Sequence, residues 1–286
     1  MNAWLVRWDK SRESYSHYER NPREAYPWVV DLEEHAGAIR EEVLRYKASQ
    51  DFPFRTDESP GQVSADNKRT WKMLFLYRCG GRNAAVADLF PALDAALRRS
   101  RHALGDVGLS LLPPSSSLTV HTGFLRAYMR IHLPLVVPAH GDSNLYVWEH
   151  LQREVTLDFD HHIMKKKPIL GRRSDWHEMK NVANIMQTLE AYNSDESIVD
   201  PQKPLDTRYV KHRYQEGKAV VFDDTHMHAV ENTSTQRDDV RIVVWIDIVK
   251  KYPPRLAGII AIGLAICRNA PQYLDCLEGR EAADEC

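Results

Sequence analysis

The sequence is short of cysteine, of any excess of one charge, and of apolar runs, and each shortage closes off a class of protein. Four cysteines in 286 residues, Cys79, Cys267, Cys276 and Cys286, are too few and too widely spaced for a disulfide framework. None falls in a Cys-x-x-Cys pair, and a reducing compartment fits them. The first ten residues hold no apolar stretch of the length a signal peptide needs, so the expected location is cytoplasmic. With 38 basic and 40 acidic residues well mixed, the formal charge is −2, and no electrostatic footprint for nucleic acid or an anionic membrane stands out. The one long apolar run covers residues 256–266, well short of the about 20 residues that span a bilayer, and reads as a buried C-terminal helix, with a membrane-surface or partner-docking segment as the alternative. The expected partner is a small-molecule or peptide-derived substrate, with no nucleic acid and no membrane.

What is present suits one substantial core, with 43% apolar residues in a single domain over 1–286. Residues 1–25 are polar and irregular and read as an N-terminal arm. Val29, Leu32, Ala36, Ile39 and Val43 recur at three- and four-residue steps, the spacing of an amphipathic helix that packs on a sheet. Trp71, Met73, Phe75 and Tyr77 share one side of a strand, and Leu89, Phe90, Leu93, Ala96 and Leu97 give a second helix. Short β segments follow over 118–121, 130–137, 218–222 and 241–249. Helices followed by many short strands, without regular alternation, predict an α+β chain with a jelly-roll, cupin-like pair of sheets. The long polar stretch over 149–209, which contains Asp160, His161, His162, Lys165 to Lys167 and a helical pattern over 176–192, reads as an inserted cap or lid. Residues 255–286 read as a helical tail.

The candidate chemistry sits on three segments. On the strand Arg130-Ile-His-Leu-Pro-Leu-Val-Val137, alternation sends Arg130, His132 and Pro134 to one face. Gly217 to His228 is an apolar strand running into a polar turn with Asp223, Asp224, His226 and His228. On the strand from Arg241, that residue shares a face with Val243, Trp245 and Asp247. Imidazoles suit divalent iron, and a planar guanidinium suits a bidentate grip on a carboxylate. His226 rivals His228 as a ligand, because residues two apart on a strand share a face.

These blocks resemble the aspartyl/asparaginyl β-hydroxylase family of Fe(II)- and 2-oxoglutarate-dependent oxygenases. The resemblance is carried by residues 26–33 and 71–78, by His121-Thr-Gly123 followed by Arg130 to Pro138, by Gln215 to Asp224 with His228, and by Arg241 to Asp247. It implies a double-stranded β-helix core, Fe(II), 2-oxoglutarate and O2, with His132 and His228 as metal ligands and Arg241 holding the distal carboxylate of 2-oxoglutarate. The family's usual lack of a metal-binding carboxylate is kept, since Pro134 stands two residues after His132. The place of a second family arginine aligns with Tyr146, which makes Tyr146 a candidate cosubstrate contact. His121 is either a group oriented toward the cosubstrate or a satisfied polar residue at a strand end, and Arg130, Asp224 and Trp245 are candidates for support or substrate contact. The activity implied is hydroxylation of an unactivated carbon in a small metabolite or an amino-acid- or peptide-derived substrate, as in natural-product biosynthesis. Halogenation, desaturation, cyclisation, lipid hydroxylation and a non-catalytic jelly-roll metal-binding protein are the alternatives.

Overall fold

The computed structural model describes residues 18–49, 71–100, 103–121, 127–152, 209–250, 252 and 254–269. Two antiparallel sheets face each other. The larger holds β1 (Tyr18–Glu19), β9 (Val220–Phe222), β6 (Tyr128–Val136), β11 (Arg241–Val249), β4 (Leu104–Leu112), β2 (Lys72–Arg78) and β3 (Gly81–Arg82), in that order. The smaller holds β5 (Ser116–His121), β10 (His226–Asn232), β7 (Ser143–Gln152) and β8 (Tyr209–Arg213), in that order. Every pairing is antiparallel. The chain is thus α+β with a jelly-roll core.

Strand alternation divides the large sheet into an apolar face and a mixed one. Leu74, Leu76, Leu109, Ile131, Leu133, Ile242, Val244 and Ile246 form the apolar face, in one cluster with Val29, Leu32, Ile39 and Val43 of the helices. The helical spacing is continuous across two helices, α2 (Trp28–Glu34) and α3 (Ala36–Ser49), which follow a short α1 (Pro22–Ala25). His35 breaks them apart, its Nδ1 lying 2.7 Å from the Asp31 carbonyl. A further short helix, α4 (Ala84–Ala87), leads to α5 (Pro91–Arg98), which starts on a proline at its first turn, where the missing N–H costs nothing. Phe90, Leu93, Ala96 and Leu97 are buried there as expected, but Leu89 precedes the helix and stays exposed.

Several expectations change. In β2 the core residues are Leu74, Leu76 and, beyond a register shift, Tyr77, so of the expected face the half-buried Met73 and Phe75 turn to the space between the sheets, together with the side chain of Trp71 that reaches Ser110. The sequence pattern gave no strand at β4, which carries Gly105, Asp106 and Gly108. Gly108 is required there, because a Cβ would lie 2.8 Å from the Leu74 carbonyl and 2.9 Å from Trp245 Nε1. Residues 226–232 form a strand where a turn was expected. The proposed cap over 149–209 is trimmed at both ends, since 149–152 continue β7 and Tyr209 opens β8. The rest of that segment, with Asp160 to His162, Lys165 to Lys167 and the pattern over 176–192, lies outside the described residues, as do 1–17 and 270–286. Within the arm, β1 pairs with β9.

The C-terminal helix α6 (Pro254–Asn269) buries one side only. Ile260 and Leu264 pack with Cys79, Ala127 and Tyr128, while Ile259 and Ile262 stay exposed. Cys79 is disulfide-bonded, against the expectation of reduced cysteines; it sits in a tight turn at φ 48°, with its N–H donating to Asp106 Oδ1 at 2.6 Å.

Candidate metal centre

The mixed face of the large sheet and the inner face of the small one enclose the polar side chains that the strands carry inward. On β6 and β11 the register sets His132 beside Trp245 and Arg130 beside Asp247. His228 comes from the opposite sheet, with its Cα paired to Val147 and to His121. Phe222 packs against both histidines, its ring centroid 5.0 Å from that of His132 and 5.1 Å from that of His228. Both imidazoles are buried.

In each ring the nitrogen tied to the scaffold is Nδ1. His132 Nδ1 lies 2.6 Å from the Tyr214 hydroxyl, and His228 Nδ1 lies 2.8 Å from the His226 carbonyl. A metal would therefore be met by Nε2 of each, with Nδ1 protonated and donating, the usual way a supporting hydrogen bond fixes a ligating histidine. Burial pushes His228 down to about 3, helped by the nearby Arg130 cation and opposed by the His226 carbonyl, so the ring is neutral at ordinary pH. His226, the rival, has its Nδ1 3.0 Å from the Trp148 carbonyl and is held to the β7 main chain.

Beside His228 lies an ionic layer. Arg130 donates through Nε and Nη2 to the two oxygens of Asp247, at 2.8 and 2.9 Å, and its Nη1 is 2.5 Å from Asp224 Oδ1. That same oxygen is 3.4 Å from His228 Nε2. Lys250 pairs with Asp223 at 2.7 Å, and Asp223 also accepts the N–H and hydroxyl of Thr225. Two cations thus meet three buried carboxylates. Burial raises Asp224 and Asp247 above the usual carboxylate range against the pull of Arg130, with Asp223 raising Asp224 further and Asp224 raising Asp247. A divalent cation on His228 would offset the surplus negative charge.

Arg241 is in the opposite situation. It is 1% exposed, and its contacts are two long hydrogen bonds to hydroxyls, Nη1 to Ser110 at 3.5 Å and Nη2 to Tyr214 at 3.4 Å, with the guanidinium 5.0 Å from the Tyr214 ring centre. Its Nε has no acceptor, and it pairs with no carboxylate among the described residues. A buried charge without a counter-ion costs several kcal/mol, roughly, unless an anion arrives to meet it. Tyr214 joins this cation to the histidine pair, since its hydroxyl touches both Arg241 and His132; burial raises its pKa, against the two arginines nearby.

The structure therefore brings His132, His228, Arg130, Asp224, Trp245 and Arg241 into one interior. Trp245 is buried, packs edge-on to Phe75 at 5.3 Å and carries Arg130 over its ring at 5.0 Å; its Nε1 has no hydrogen-bond partner. His121 is opposite His228 in backbone register. Tyr146 does not join them, and its expected cosubstrate contact is corrected. Its neighbours Leu145 and Val147 face the interior cluster, so alternation turns Tyr146 outward, where its hydroxyl donates to Glu231 at 2.5 Å and its ring meets Tyr209. Sequence reasoning missed Tyr214, Ser110 and Lys250. Only Tyr214 left a signal, as an aromatic between a strand and the Glu216-Gly217 turn.

A sequence model described as aspartyl/asparaginyl beta-hydroxylase matches residues 33–159 and 199–251. A curated relative, the ornithine lipid ester-linked acyl 2-hydroxylase of Rhizobium tropici, is 24% identical over 244 residues, 84% of this chain and 64% of that protein. The chain thus spans slightly under two thirds of the length of the curated relative it matches. Among solved structures, the non-heme alpha-ketoglutarate-dependent epimerase SnoN of nogalamycin biosynthesis is 13% identical with a TM-score of 0.42, covering 87% of this chain and 84% of its own. HygX of Streptomyces hygroscopicus, with nickel and 2-oxoglutarate bound, is 12% identical with a TM-score of 0.38, covering 77% and 80%.

Proposed function

Because the chain belongs to the aspartyl/asparaginyl beta-hydroxylase family, we propose that it is an Fe(II)- and 2-oxoglutarate-dependent oxygenase that hydroxylates an unactivated carbon, with His132 and His228 as the protein ligands of the metal. One observation carries the reading. Arg241 is a fully buried cation with no carboxylate partner among the described residues and with an orphaned Nε, on the same interior face as His132. A planar guanidinium in that position suits the distal carboxylate of 2-oxoglutarate, which would satisfy the donors that Ser110 and Tyr214 reach only at long range. A non-catalytic metal-binding jelly roll gives no reason to strand a cation there.

The metal, when bound, supplies the activation of O2 that the oxidation needs, and the protein's share is geometry. Tyr214 orients His132 and sets the spacing to Arg241. The His226 carbonyl orients His228, and Arg130 holds Asp224 against it without letting that carboxylate swing. Phe75, Trp245 and Trp71 give the interior an aromatic wall on the β2 and β11 side.

The substrate is a small metabolite or an amino-acid-derived compound, or, as a second reading, a fatty acyl chain. The second is favoured by the acyl 2-hydroxylase activity of the curated relative and by that aromatic wall. Purified protein assayed with Fe(II), 2-oxoglutarate and O2 is expected to form succinate, with omission of either Fe(II) or 2-oxoglutarate abolishing it. Absence of succinate over a panel of acyl lipids, amino-acid derivatives and peptides would overturn the proposal.

A further inference from the structure

We infer that the outer face of α6 seats the protein on a bilayer surface bearing anionic lipid. The helix has sixteen residues and is apolar nearly all round, a pattern that belongs to a helix covered on both sides. Among the described residues only one side is covered, by Ile260 and Leu264 against Cys79, Ala127 and Tyr128. On the other side Gly258, Ile259, Ala261 and Ile262 are exposed, with Ile259 at 54% and Ile262 at 62%. A Cβ built on Gly258 meets nothing within 4 Å, so that flank is open.

Charge selects the occupant. The helix contains no Asp or Glu, and exposed arginines mark its two ends, Arg255 and Arg268. In a two-fold dimer the same patch meets itself, so arginine would face arginine or bare apolar helix with no acid to pair with. Anionic headgroups complement both ends at once, while the isoleucines enter the acyl boundary. At 1.5 Å per residue the helix is about 24 Å long, less than the roughly 30 Å hydrocarbon core, and no helix among the described residues is long and apolar enough to cross a membrane. It would lie in the plane of the surface. The inner side of α6 rests on Tyr128, two residues along β6 from Arg130, so this face sits at the barrel end that carries the ionic layer beside His228. The matched family residues stop at 251, before α6.

The inference concerns where the protein works and stands apart from its chemistry, so its test reads binding only. Full-length protein is mixed with vesicles of phosphatidylcholine, with or without phosphatidylglycerol, and sedimented. It is expected to pellet with the anionic vesicles. Ile259→Ser with Ile262→Ser should weaken partition about tenfold or more at unchanged melting temperature, because both side chains are on the surface. Arg255→Gln with Arg268→Gln should remove the preference for phosphatidylglycerol. Failure to pellet, a double isoleucine variant that pellets like the parent, an arginine variant that keeps the preference, or a dimer in gel filtration that the isoleucine variant dissolves would each overturn the inference.

Discussion

Arg241 concentrates the residue-scale argument, because its burial is unfavourable in the absence of a ligand. Replacing a buried, uncompensated charge by an apolar side chain of similar length is neutral or stabilising, whereas the same change removes a carboxylate anchor. Arg241→Met is therefore expected to melt at or above the temperature of the parent without 2-oxoglutarate. It should also lose the rise in melting temperature that 2-oxoglutarate gives the parent by mass action. Differential scanning fluorimetry with and without 2-oxoglutarate checks both. A variant that melts well below the parent, or that still responds to 2-oxoglutarate, contradicts the role given to this arginine. The signs differ from those of an ordinary core mutation, which makes the two explanations separable.

Between elements, the firmest polar joint outside the interior is Asp94 on α5. Its carboxylate accepts from the Tyr77 hydroxyl at 2.7 Å, from Arg82 Nε at 3.0 Å and from Arg98 Nε at 2.9 Å, tying the helix to β2 and β3. Burial pushes this carboxyl up, but those hydrogen bonds outweigh it and hold it at about 2, below the usual 3.8. A depressed carboxyl stabilises the fold fully above its unfolded value near 4, and the contribution is lost as pH falls from there through about 2. Asp94→Asn should thus cost roughly 1–2 kcal/mol at pH 7, allowing for some solvent screening, and the gap should close toward pH 2. Denaturant unfolding at both pH values measures it, and a pH-independent gap would contradict the electrostatic origin.

The same scale explains what the sequence made legible. Strands β6 and β11 are long, apolar and flanked by clear breaks, so alternation placed Arg130, His132, Arg241, Trp245 and Asp247 on the interior face without further help. β4 was hidden because Gly105, Asp106 and Gly108 have poor strand propensity, and the reason for Gly108 is the indole of Trp245 from a distant segment. Tyr146 failed for a sharper reason. Side chains alternate with period two, so placing a distant residue one position off sends it to the other side of the sheet. Ser110 could not be read at all, and Tyr214 only as an aromatic beside a turn, since their partners lie 131 and 82 residues away in sequence.

For the whole molecule, the family model matches 33–159 and 199–251, leaving residues 160–198 and α6 unmatched. The matched part holds His132, His228 and Arg241. The central claim is that two imidazoles from facing sheets, both packed on Phe222, hold one metal. Anaerobic equilibrium dialysis against Fe(II) tests it most directly, comparing the parent with His132→Ala, His228→Ala and His226→Ala. The account predicts one iron per chain in the parent and in His226→Ala, with binding weakened about a hundredfold or more in each of the other two. Full iron binding in either His132→Ala or His228→Ala, or its loss in His226→Ala alone, would contradict it.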